Sequence, residues 1–247
     1  MAKRGKQVAL EHKHSPEAIQ QRLAEGARLN YLRDFVYGGI DGSVTTFAVV
    51  AGTIGASLSI EVVLILGAAN LIADGFSMAA SNFLGTRSEH EDYARLRSVE
   101  ARHIDIDPAG EREEVRQIYA TKGFAGSELE SIVDLITSDR ELWIQTMLTE
   151  EYGLARNVRS AWNAAVFTFL AFIVCGIVPL IPFIFGLQTS FVTSIVLTGG
   201  VFFAIGSVKS RWSPDPWWKS GLVTFVVGAM AAFLAFGAGI VLKRLGV

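Results

Sequence analysis

NLIADGFSMAASNFLG, residues 70–85, closes an apolar segment of membrane length, yet it carries an amide, a carboxylate and a thioether. Asn70, Asp74 and Met78 fall at i, i+4 and i+8, so on a helix they share one stripe, flanked by Ser77 and Ser81. A second carboxylate, Asp41, stands in the preceding apolar segment in GGIDGSVTTFAVVAG, residues 38–52. Gly38, Gly39 and Gly42 surround it and would let another helix or a partly hydrated ion come close, and Thr45 lies one turn on. An ionised aspartate at mid-bilayer costs about 3 kcal/mol on insertion scales, and stays only where it faces the bundle interior, water or a cation. Interhelical hydrogen bonding accounts for the hydroxyls. It does not account for two aspartates in segments that hold no Lys or Arg. A cation or a proton must neutralise them, and Asp41, Thr45, Asn70, Asp74 and Met78 are therefore candidate permeation residues.

Working outward, apolar stretches of membrane length recur at about 36–57, 61–84, 162–185, 190–208 and 217–242 (TM1–TM5). With 51% apolar and 19% charged residues and a mean hydropathy of +0.38, five such runs exclude a soluble protein with buried helices, whose runs are shorter and interrupted. The fold class is all-α: a polytopic membrane protein with five transmembrane helices and a cytoplasmic three-helix insert between TM2 and TM3. The divisions are an N-terminal arm (1–34), TM1–TM2 (35–85), the insert (86–160) and TM3–TM5 (161–247). Of the 22 Lys and Arg, seven lie in residues 1–35, ten in 86–160 and three in 209–219, all on one side of a five-span chain. The opposite side has two short turns without any, plus Lys243 and Arg244. The positive-inside rule puts the N-terminus and the insert in the cytoplasm and the C-terminus outside.

The arm is polar and basic without the apolar core of a signal peptide. Ser15 reads as an N-cap with Pro16 at the first helical position, and Ile19, Leu23 and Ala27 give that helix an apolar side suited to the membrane surface. His12 and His14 read as incidental. Cys175, the only cysteine, reads as a small packing residue in TM3, and Trp212, Trp217 and Trp218 as interfacial anchors. No basic stripe with interleaved aromatics suggests nucleic acid. No phosphate-cradling loop supports ATP-driven pumping, and no Ser-His-Asp constellation occurs at useful spacing.

The insert is acidic, with 16 Asp and Glu against ten Lys and Arg. Its first helix continues from TM2 through TRSEHEDYARLRSVEARHI. Asp107 then reads as an N-cap with Pro108 at N1, opening a helix that ends at Gly123. Ser127 with Glu130, and Ser138 with Glu141, read as capping boxes for the helices that follow. Glu100 and His103, Glu111 and Glu114, and Met147 with Glu150 and Glu151 sit three or four apart, so each group could reach one ion. Carboxylates with an imidazole and a thioether suit Fe2+ or Mn2+ better than Mg2+ alone. By spacing alone, such pairs are also common on solvated acidic helices.

These residues carry a resemblance. DGSVTTFAVVAG in TM1, IADGFSMAASNFLGTRSEHE from TM2 into the insert, and IVPLIPF at the end of TM3 resemble the vacuolar iron transporter family, over about residues 30–245. The resemblance implies a homodimer of five-span protomers that moves Fe2+, and often Mn2+, out of the cytosol in exchange for protons, and a cytoplasmic metal-binding insert. It implies pore ligands at Asp41 and Met78, and insert ligands at Glu100, Glu111, Glu114, Met147 and Glu151. Three positions depart from the family pattern. Asn70 replaces a pore glutamate of eukaryotic members, with Asp74 one turn on as its substitute. His103 replaces a metal-binding glutamate, and Leu148 a second methionine.

The expectation is a proton-coupled divalent-metal exporter in a lipid bilayer, with Fe2+ (or Mn2+, Co2+ or Zn2+) as transported and insert-bound ion and no prosthetic group. The lack of an organelle-type extension and the compact loops point to a bacterial inner membrane, or a vacuolar membrane in a eukaryote. One alternative is a membrane-anchored di-iron carboxylate enzyme, since Glu100 and His103 form a Glu-x-x-His element, but the spans and the insert hold no second such element, which that architecture needs. A metal-sensing or buffering protein is another, and it leaves the membrane aspartates unexplained.

Overall fold

The first long helix begins at Leu32, four residues ahead of the apolar run, and takes in Asp34. That aspartate is buried inside the bundle, so the helix must extend back to reach it. The computed structural model describes residues 13–25, 31–154 and 159–245. In chain order the helices are α1 (Pro16–Glu25), α2 (Leu32–Gly55), α3 (Ile60–Ile106), α4 (Pro108–Thr121), α5 (Gly126–Thr137), α6 (Arg140–Glu150), α7 (Ala161–Gly176), the short α8 (Ile181–Ile184), α9 (Ser190–Lys209) and α10 (Trp217–Arg244). No strand occurs among the described residues. Five stretches are long and apolar enough to cross a membrane: Leu32–Gly55, the first half of α3, Ala161–Ile184, Ser190–Trp212 and Trp217–Arg244. Ile65, Ile72, Phe76, Phe233 and Leu234 face outward, the inverse of a water-soluble core and the expected state of a surface solvated by lipid. The chain is a multi-pass membrane protein.

α2 is the central helix, packed against α3, α7, α9 and α10. Its glycines set that position. A Cβ on Gly38 would lie 2.3 Å from the Thr168 carbonyl oxygen, and one on Gly42 2.4 Å from that of Phe172, so α2 and α7 touch backbone to backbone. Gly39 meets Cys175 and Ile205, which gives the cysteine its packing role. α7 ends at Gly176 because Pro179 and Pro182 cannot donate to the ladder. The carbonyls of both prolines are met by serine hydroxyls of α9, Ser194 to Pro179 at 2.7 Å and Ser190 to Pro182 at 3.1 Å. An apolar medium requires such partners.

α3 runs unbroken for 47 residues, about 70 Å at 1.5 Å per residue, far more than a bilayer core. Its second half carries α4–α6, so the insert is this extension and three further helices. Asp107 caps α4, accepting from Gly110 N at 3.0 Å, with Pro108 in the first turn. The two expected capping boxes do not form. Ala125 is the N-cap of α5, Gly126 turns the chain with φ +58°, and Ser127 lies inside the helix. Asp139 caps α6, accepting from Glu141 N and Leu142 N, while the Ser138 hydroxyl turns back to Leu135 O. Both glutamates are drawn into pairs between helices, Glu130 with Arg116 at 2.8 Å and Glu141 with Arg97 at 2.5 Å. Val115, Val133, Ile144, Met147 and Leu148 fill the core between these helices. In α1, Ser15 accepts from Ala18 N as expected and Leu23 is exposed, while Ala27 and His12 lie outside the described residues.

Candidate functional site

Two groups of side chains stand out, one in each half of α3. In the membrane half, Asn70 turns toward α2 and donates from Nδ2 to Thr45 Oγ1 at 3.2 Å and Thr46 Oγ1 at 3.4 Å. Thr45 in turn donates to the Asp41 carbonyl at 2.9 Å. Asp41 is half-buried, and its carboxylate is near enough to Asp74 for the two charges to interact. Asp74 and Ser77 lie on the outer surface of the protomer, while Met78 packs against the cluster of Phe47, Leu71 and Phe172. The structure thus brings Asp41, Thr45 and Asn70 together between α2 and α3, with Asp74 near Asp41 on the outer face and Met78 one turn further along. Among the described residues neither aspartate forms an ion pair; outside the insert the pairs are Asp34–Arg159 and Asp215–Lys219, with Arg87–Glu91 at the insert's base.

In the outer half, the turn at Asp107 folds α4 back so that Glu111 meets Glu100 and His103 of α3. One ligand atom from each of the three lies within 4.8 Å of the others. His103 Nδ1 is 3.2 Å from Glu111 Oε1, and the Tyr152 hydroxyl donates to Glu100 Oε1 at 2.9 Å. Glu100 is 1% exposed and Glu111 6%, and the second oxygen of each is buried without a partner. Enclosing two carboxylates this way is costly unless something pairs them. Burial, with the charges of Glu100, Glu114 and Glu151, pushes the Glu111 carboxyl up to about 7. Burial and the charges of Glu100 and Glu114 also raise Glu151, and burial with the Glu100 carboxylate raises the Tyr152 hydroxyl. Glu114 joins His103, Asp107 and Glu111 along an open cleft of about 220 Å³. The donor set of carboxylates and an imidazole, with orphaned oxygens inside, is suited to a divalent cation. Two expected ligands stand differently: Glu150 pairs with Lys122 at 2.5 Å, and Met147 is fully buried in the core of the insert.

The VIT family model matches residues 32–240, which takes in both groups and every long helix. This chain belongs to the VIT family. Relatives of this VIT-family chain include vacuolar iron transporter 1 of Eucalyptus grandis, 32% identical over 209 residues that cover 83% of this chain and 84% of that one. Vacuolar iron transporter 2 of Oryza sativa subsp. japonica is 32% identical over 209 residues, 83% and 85% of the two chains. The vacuolar iron transporter of Toxoplasma gondii is 30% identical over 226 residues, 87% and 75%. Membership places the chain among transporters rather than enzymes.

Four residues beside these sites escape the sequence pattern. Tyr152 follows the last helix of the insert. Asp34, Asn82 and Arg159 meet at the end of the bundle nearest the insert, where Asp34 is bound by Arg159 Nη1 at 3.0 and 3.1 Å and by Asn82 Nδ2 at 3.0 Å. Two signals for them were available in the numbering. Asp34 precedes Asp41 by seven residues, and Asn82 follows Met78 by four.

Proposed function

We propose that this VIT-family protein exchanges a divalent metal ion, Fe2+ and also Mn2+, for protons and moves the metal out of the cytosol. The observation that carries the reading is the pair Asp41 and Asp74, two carboxylates in adjoining membrane helices with no cationic partner among the described residues. Each alternates between binding the cargo ion and binding a proton, and that competition for the same oxygens is the coupling. The names of the relatives supply iron as the cargo.

Asp74 on the outer face of α3 supports a homodimer. A charged side chain facing lipid costs about 3 kcal/mol, and a second copy covering α3 would double the Asp41/Asp74/Met78 set about a shared axis. Thr45 and Asn70 hold the set in place from the neighbouring turns. Residues 86–160 form a cytoplasmic metal-binding domain in which Glu100, His103, Glu111, Glu114 and Glu151 collect the ion; the concentration of Lys and Arg on this side of the spans supports the orientation. The buried carboxylates there release a proton when metal binds, so the insert answers to pH as well as to metal.

The test is flux in proteoliposomes, with Fe2+ supplied anaerobically or Mn2+ in its place, and the lumenal pH recorded. Wild-type protein is expected to move metal and protons in opposite directions. Asp41→Ala is expected to abolish both while the protein stays folded. Wild-type flux in that variant would sink the assignment.

A further inference from the structure

The last helix of the insert runs out through EEYGL, residues 150–154, and the turn there places the Tyr152 side chain. Gly153 is left-handed, with φ +67°, a conformation that favours glycine. It folds the chain back so that the Leu154 amide donates to the Leu148 carbonyl at 2.9 Å. Tyr152 and Leu154 then both pack against the buried core of the insert. So held, the Tyr152 hydroxyl donates to Glu100 Oε1 at 2.9 Å, across 52 residues of chain. Glu151 lies near enough to interact with the same hydroxyl, but a phenol has one proton to give, and Glu100 takes it. Each of the two buried carboxylates is therefore engaged through one oxygen. Glu100 Oε1 accepts from Tyr152 and Glu111 Oε1 is 3.2 Å from His103 Nδ1, while both Oε2 atoms are buried without a partner. The two holders differ. His103 is exposed and is itself a candidate ligand, so it can turn from Glu111 to an ion. Tyr152 is tied into the core and stays where it is.

We propose that Tyr152 is a positioning residue that sets the ion preference of the insert: its hydroxyl occupies one oxygen of Glu100, so Glu100 offers a divalent cation the other oxygen alone. The proposal rests on the reading of the insert as a metal-binding domain. A hydroxyl bonded to one oxygen leaves the other still enclosed and still costly, so the contact directs the carboxylate and does not neutralise it. The direction has a chemical consequence. Ca2+ collects about six to eight oxygens and is well served by a carboxylate that gives both of its own. A carboxylate restricted to one oxygen, beside an imidazole, suits Fe2+ or Mn2+. Tyr152 thus acts against Ca2+ through geometry, as His103 acts against Mg2+ through the type of donor.

The experiment is calorimetric titration of the full-length, metal-free protein, in nanodiscs of neutral lipid, with Mn2+ and separately with Ca2+. Tyr152→Phe keeps the ring and removes the hydroxyl. It is expected to weaken Mn2+ binding about tenfold, the low end for losing a group that orients a metal ligand, and to leave Ca2+ binding unchanged or tighter. An equal loss for both ions, or none for Mn2+, makes Tyr152 a packing residue and overturns the proposal. Glu100→Gln tells this failure from failure of the reading beneath it. If that variant binds Mn2+ as the wild type does, the insert is not a metal-binding domain at this site. If it binds weakly while Tyr152→Phe binds normally, only the role of Tyr152 falls. Infrared difference spectra of the wild type decide independently, without a Tyr152 variant that has to fold. Carboxylate bands that Mn2+ shifts in the wild type and not in Glu100→Gln belong to Glu100. A wide separation of its two stretches is expected, the mark of coordination through one oxygen; a narrow one, the mark of both oxygens on the ion, overturns the proposal.

Discussion

Replacing Glu111 by glutamine removes a buried charge while keeping the volume of the side chain. With the Glu111 carboxyl pushed from 4.5 to about 7, the folded insert holds a proton between those pH values that the unfolded chain has lost. The stability this proton confers is complete below pH 4.5 and is lost as the pH rises through about 7. At about 1.4 kcal/mol per pH unit, the interval corresponds to roughly 3 kcal/mol at most. Hydrogen exchange along α4–α6 of the full-length, metal-free protein reads this directly once intrinsic rates are corrected for pH. Wild-type protection is expected to fall by up to about a hundredfold between pH 5 and pH 8. Glu111→Gln is expected to hold nearly constant, and the small remaining slope belongs to Glu151, whose carboxyl burial also raises. Mn2+ at pH 8 should restore protection in the wild type and much less in the variant. Matching pH profiles for the two proteins, or protection that rises with pH, would refute the reasoning.

Asp74→Asn should lower flux and flatten its pH dependence; if both persist, Asp74 serves packing alone. Glu111→Ala with Glu114→Ala should weaken Mn2+ binding to the insert, measured by calorimetry, and slow transport mainly at low metal. Binding equal to wild type would return these glutamates to a solvated acidic face. Gly42→Ala places a methyl 2.4 Å from the Phe172 carbonyl, so α2 and α7 must part; a loss of 1–3 kcal/mol, about the usual cost of overpacking, should show as a lower midpoint in detergent thermal melts.

Features set by local periodicity were legible before any coordinates. Asn70, Asp74 and Met78 announce a stripe because a helix repeats every 3.6 residues, and Glu100 with His103 do the same. The Asp107–Pro108 break also told where α3 hands over to α4, but not that the turn brings Glu111 back to Glu100 and His103. What failed depended on partners far along the chain. Glu130 and Glu141 fit the capping-box pattern, but Arg116 and Arg97 claim them across 14 and 44 residues. Asp34 sits at the polar edge of an apolar run and reads as part of the arm until Arg159, 125 residues later, closes over it. Glu150 belongs to the right segment and was drawn off by Lys122. Tyr152 carries no spacing signal, because it meets Glu100 only after α6 has ended.

The unbroken run of α3 fixes a length as well as a direction. From Met78 to Glu100 the rod measures about 33 Å, roughly four Debye lengths at physiological ionic strength. On the proposed reading, an ion held between the carboxylates of the outer half is separated by that distance from one passing between the membrane aspartates, and the aqueous part of the gap screens its repulsion. Occupancy at one end is invisible to the other through charge alone. On that same reading the two ends fill and empty on separate clocks, and the insert serves as a reservoir beside the path.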